Sequence, residues 1–357
     1  LSRKYGLGLA QAATFRDSYH GLALRAGQLT AANCASCHGA HDIRPSRDPR
    51  SHVHAANLAA TCGKCHPGAA STVALGPVHV VAETGPARAV GWIRVVYLWL
   101  IGIVVGGMAI HNGLDLFRKA RRQTPPGHAI PPATPERMSR ALRWQHGLVM
   151  VSFPVLVYSG FALTYPESAW AAPLLAWESR FGLRGLVHRG AAVVMLVGLA
   201  WHFAELALSR RRRACLGGLL WSWRDLAAVW NAMAYYLGRR ARAPHGAKFG
   251  YVEKIEYWAF LWGAVLMAVT GFALWFENVS LRYLPKWVTD VATALHFYEA
   301  VLATLAILVW HLYWVIFDPD VYPMDASWWH GRAPAARTHE REPPTTPGTA
   351  PGEPRRD

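Results

Sequence analysis

Two pairs of cysteines in the N-terminal quarter of this sequence are each followed at once by a histidine, as Cys34-Ala-Ser-Cys37-His38 and Cys62-Gly-Lys-Cys65-His66. Further on, two apolar stretches each carry a histidine at both ends: His188 and His202, 14 residues apart, and His296 and His311, 15 apart. The first arrangement lets two thiols form thioethers with haem vinyl groups while the adjacent histidine ligates the iron. The second, at ~1.5 Å rise per residue, separates two imidazoles by roughly 21–22 Å on one helix face, most of the depth of an apolar bilayer core. Two facing helices of that kind can hold two haems, one near each membrane surface.

A zinc site would not require histidine directly after each cysteine pair, and a disulfide across two residues is strained outside redox motifs. The four cysteines are therefore read as anchors of two covalent c-type haems, with His38 and His66 as proximal ligands. Five histidines remain nearby for the two opposite axial positions: His20, His41, His52, His54 and His79. His20 in Tyr-His-Gly and His79 in Gly-Pro-Val-His flank the motifs beside turn residues and are favoured, followed by His41.

The elements that must position these residues follow from composition and pattern. A chain of 357 residues with 52% hydrophobic residues, 17 tryptophans and only 17% charge reads as a membrane protein with a soluble appendage. Its net charge of +15 is spread along the flanks of apolar spans and is coupled to no nucleic-acid-binding motif, which excludes a nucleic-acid partner. The chain opens at Leu1 without a methionine or signal segment, so a processed or truncated start is expected.

Residues 1–90 lack the aliphatic content for a conventional core, and form a small multihaem domain poor in regular secondary structure. Apolar spans are expected at about 92–111, 146–165, 186–208, 257–276 and 291–317, each near the ~20 residues that cross a bilayer. The resulting class is an all-α membrane protein. Its domains are 1–90, c-type; 91–117, an extra transmembrane helix; 118–143, a linker; 144–320, a four-helix di-haem bundle; and 321–357, a mostly disordered tail. Residues 221–237 are too mixed to span and suit the interface.

Segments 112–143 and 206–256 carry seven and ten Lys/Arg, against two each in 166–187 and 277–295. The positive-inside rule makes the first two cytoplasmic, which leaves the N-terminal domain in the periplasm and the C-terminus inside a bacterial cytoplasmic membrane. His188 and His296 then lie near the outer surface, and His146, His202 and His311 near the inner one, with His111 at the end of the first span. Ionisable residues at matched depths in spans are costly and point to function. His188 and His296 form the outer pair. At the inner level, depth accepts either His202 or His146 opposite His311. Cys215 gives no functional signal and is read as an inert thiol.

The second span, Arg143-Trp-Gln-His146 through Ser159-Gly160-Phe-Ala-Leu to Pro166, resembles the first helix of the di-haem cytochrome b subunits of formate dehydrogenases, nickel-iron hydrogenases and thiosulfate reductases. With the two cysteine motifs, nearly the whole chain but the tail is similar to fused multihaem c/di-haem b proteins. The resemblance implies two b-type haems, one held by His188 and His296 and the other by His146 and His311. His202 is then spare, beside where such proteins bind a quinone, menaquinone or another. It is the candidate proton acceptor, with His111, Glu253 and Lys254 as neighbours. The implied function is electron transfer between the quinone pool and periplasmic c-type haems, in either direction. The alternative is a non-catalytic anchor and relay in a larger respiratory complex with a periplasmic or membrane-bound partner.

Overall fold

The computed structural model describes residues 10–68, 79, 87–121, 136–240 and 249–332. The Pro-rich connector at 122–135 and the tail at 333–357 lie outside these residues, as does the chain start.

Among the described residues the architecture is all-helical, with five helices long and apolar enough to cross a membrane: Ala87–Ala120, Arg140–Thr164, Leu183–Leu208, Tyr251–Trp275 and Lys286–Phe317. The shortest, at 25 residues, is about 37 Å long at 1.5 Å per residue, enough for the ~30 Å hydrocarbon layer. Each begins a few residues before its apolar stretch, because Arg140, Arg184, Tyr251 and Lys286 continue the helical turns into the interface. The interfacial segment is a helix over Trp223–Tyr236, capped at its start by Ser222 and Asp225.

Two units make up the chain: 1–106, 145–203 and 260–306 in one, and 107–144, 204–259 and 307–357 in the other. In the first, Tyr97 of the first span donates to Glu299 of the fifth at 3.0 Å, which satisfies a carboxylate within the apolar layer. The N-terminal domain in the same unit consists of short helices, Ala10–Asp17, Tyr19–Arg25, Cys34–His38 and Leu58–Gly63. It rests on the loops between spans: Gln28 donates to Glu178 at 2.9 Å, and Cys62 packs against Leu281 of the helix Glu277–Tyr283.

In the second unit the described part of the segment after the fifth span, 318–332, is tied down by hydrogen bonds. The backbone nitrogens of Arg137 and Met138 donate to the Gly331 carbonyl, and Asp325 accepts from Ser327. Local hydrogen bonds and the backbone contacts from Arg137 and Met138 together hold a stretch whose composition alone suggests none.

Candidate metal centres

His188 and His296 are held by two matching pairs of spans. Ser159 and Thr270 each donate their hydroxyl proton to the carbonyl four residues earlier, Val155 at 2.6 Å and Leu266 at 2.7 Å. Each oxygen can then only accept, and His188 and His296 each bring Nδ1 to it at 2.9 Å. Nδ1 therefore carries the proton in both rings, and Nε2 keeps the lone pair that a metal needs. The next residue is glycine in both spans, where an added Cβ would meet the imidazole at 3.4 Å for Gly160 and 3.3 Å for Gly271. The two rings stand with centroids 6.3 Å apart.

This spacing suits a metal between them. With a metal–nitrogen bond of ~2.0 Å on each side and roughly 1.1 Å from nitrogen to ring centre, two imidazoles across one iron have centroids about 6.2 Å apart. The residues present fit a bis-histidine haem.

An internal repeat, wider than the two double-histidine helices legible in the sequence, underlies the match. Ser159-Gly-Phe-Ala-Leu recurs as Thr270-Gly-Phe-Ala-Leu. Fourteen residues before each hydroxyl stand Gln145 and Glu256. Gln145 Oε1 accepts from His202 Nδ1 at 3.1 Å, and Glu256 Oε1 accepts from His311 Nδ1 at 3.2 Å. The spacing of 15 instead of 14 in the fifth span is taken up by a π-helical turn over Ile307–His311, whose wider loop absorbs one residue.

The N-terminal domain repeats the ring geometry twice. His20 lies with its centroid 6.1 Å from that of His66, and His79 lies 6.3 Å from His38. Helix Cys34–His38 sets both cysteines of its motif on one face, and its Asn33–Ser36 capping box fixes its start. In the second motif the Cys65 and His66 nitrogens both donate to the Cys62 carbonyl, which continues the turn. Burial pushes the Cys37 and Cys62 thiols up and holds the His20 and His79 imidazoles below their ordinary range. His79 donates Nδ1–H to Thr14 at 3.1 Å, and His66 donates Nδ1–H to Asn278 Oδ1 at 2.9 Å. Both thus leave Nε2 with the lone pair that a metal needs. His41 is exposed and is not brought against another ring among the described residues, and His54 caps a short turn by accepting from the Ala56 nitrogen. No group of three or more His, Cys, Asp or Glu suited to a metal ion occurs among the described residues.

Glu253 and Lys254 do not pair with each other. Lys254 is buried on Asp225 at 2.8 Å and the Leu220 carbonyl at 3.0 Å, while Glu253 accepts from the Gly250 nitrogen and faces Arg137. Successive helical residues point to different faces, so the two anchor different connectors. His111 is buried among Tyr236, Tyr251, Trp310 and Trp314.

Residues 137–323, just over half of the chain, match the family described as prokaryotic cytochrome b561. No curated protein matches the chain.

Proposed function

The chain belongs to the prokaryotic cytochrome b561 family, and on that premise we propose that it carries electrons between a quinone, met near the cytoplasmic surface, and c-type haems on the periplasmic side. Membership itself makes it a multi-pass membrane protein of transmembrane electron transfer with b-type haem. Each haem, when bound, supplies one iron that takes up and releases a single electron.

The observation that supports this reading most is one ring spacing occurring three times in a single unit: 6.1 Å for His20 with His66, 6.3 Å for His38 with His79, and 6.3 Å for His188 with His296. The first two pairs include the histidines of the Cys-x-x-Cys-His motifs, so Cys34, Cys37, Cys62 and Cys65 would anchor two c-type haems. Ser159, Thr270, Thr14 and Asn278 fix imidazole tautomers. The charge bias of the connecting segments supports a periplasmic N-terminal domain.

For the second b-type haem we assign His311 with His146, the arrangement that the resemblance implies, and His202 as the group that exchanges a proton with the quinone. The internal repeat favours a second reading, His202 as the ligand and His146 as the proton carrier, because His202 and His311 have the same Nδ1 clamp as the outer pair. Spectra of His146→Ala and His202→Ala distinguish them: the ligand substitution removes a b-type signal, and the other slows only quinone turnover.

The function is tested by anaerobic addition of menaquinol to the purified chain. Reduction of b-type and then c-type absorbance is expected. Dithionite-reducible bands that respond to no quinol would overturn the quinone site and favour a relay within a larger complex.

A further inference from the structure

The first span lies outside the segment shared with the family, yet carries His111, Asp115 and Lys119 four residues apart on one face. All three are buried, Asp115 to 2% exposure and the Lys119 side chain to 8%. Anchoring a helix does not require such a stripe, since its apolar surface already fits lipid and ionisable groups in spans are expensive.

Their partners form a connected chain. His111 Nε2 is 2.7 Å from the Tyr251 hydroxyl. Tyr251 is hydrogen-bonded to the Tyr236 hydroxyl, and Tyr236 to Asp115. Asp115 also accepts from Tyr313 and lies 3.0 Å from Lys119 Nζ. Lys119 reaches Asp318 at 2.6 Å and Asp320 at 3.1 Å, just past the end of the fifth span. Every link lies in one unit.

We propose that this chain is a proton conduit, running from His111 within the membrane through Tyr251, Tyr236, Asp115 and Lys119 to Asp318 and Asp320 at the cytoplasmic end. Each hydroxyl both donates and accepts, so a proton given to one end of the tyrosine pair releases another at the far end. Three carboxylates share one ammonium here, which leaves room for an extra proton. Burial raises the Asp318 carboxyl while Lys119 opposes it.

The conduit rests on the quinone reading above. Reducing one quinone to quinol takes two electrons and two protons, one proton for each oxygen, and oxidation returns them. The electrons are exchanged with one-electron carriers, as the bound haems would be, and the protons are exchanged with the cytoplasmic side through the conduit.

The test uses the full-length haem-loaded chain in vesicles containing menaquinone, with a pH-sensitive dye on the side of Asp320 and haem absorbance followed together. Asp115→Asn and Tyr251→Phe keep shape but interrupt proton passage. Both are expected to slow the proton signal roughly tenfold or more and to enlarge the slowing in heavy water, with haem spectra and potentials unchanged. Proton signals at the wild-type rate in Tyr251→Phe would overturn the conduit, as would loss of b-type absorbance in that variant, which would mark a packing role. If Asp115→Asn fails to assemble, Tyr251→Phe alone decides. A wild-type chain whose haems ignore menaquinone would overturn the quinone reading and the conduit with it. Normal wild-type turnover with unaffected variants would remove only the conduit.

Discussion

In the first unit the Nδ1–H groups of His188 and His296 meet two neutral hydroxyls, Ser159 and Thr270, and that of His202 meets an amide, Gln145; in the second unit His311 meets a carboxylate, Glu256. The same repeat thus gives three neutral clamps and one charged one. A carboxylate pulls harder on the Nδ1 proton than a hydroxyl does, makes Nε2 a stronger donor and favours the oxidised metal. His188 and His296 have matching neutral acceptors, whereas His311 alone of the four has a charged one, which would make it the more electron-rich as a ligand.

The comparison is broken most severely by removing a ligand. His188→Ala or His296→Ala is expected to abolish the outer b-type haem and about halve b-type absorbance while c-type absorbance stays, as read from a pyridine haemochrome spectrum. A loss of all b-type haem in either variant would show that the two b-type haems do not load independently. Glu256→Gln tests the asymmetry itself: the inner b-type potential should rise by on the order of tens of millivolts in a redox titration, with the outer one fixed. An unmoved inner potential would mean that the carboxylate does not act on His311.

Smaller effects are expected where the acceptor is neutral. Asn278→Asp places a charge on the His66 Nδ1–H and should lower one c-type potential, leaving both b-type values in place. Ser159→Ala and Thr270→Ala should each shift only the outer b-type potential, and by less than Glu256→Gln. Equal shifts in all three would erase the distinction between the neutral clamps and the charged one.

Much of this was legible in one dimension. Histidine spacing in apolar helices reports depth directly, and Cys-x-x-Cys-His is a local motif, so the five spans and the histidine levels could be read without coordinates. The clamps could not be read from spacing alone. Ser159 and Thr270 lie 29 and 26 residues from their histidines, although the recurrence of Gly-Phe-Ala-Leu after each was a visible signal. Asn278 depends on which loop the N-terminal domain rests upon, a tertiary fact with no local trace. Glu253 and Lys254 are adjacent in sequence yet anchor different connectors, Arg137 and Asp225, because helix geometry separates the two side chains. The conduit was hidden similarly: His111, Asp115 and Lys119 share one helix face, but their partners come from three other segments.

The most direct test is a haem count on the purified full-length chain, by pyridine haemochrome spectrum against protein concentration. The four-centre account predicts c-type and b-type haem in equal amounts, two of each per chain. A spectrum lacking the c-type band, or showing a single b-type haem per chain, would contradict it.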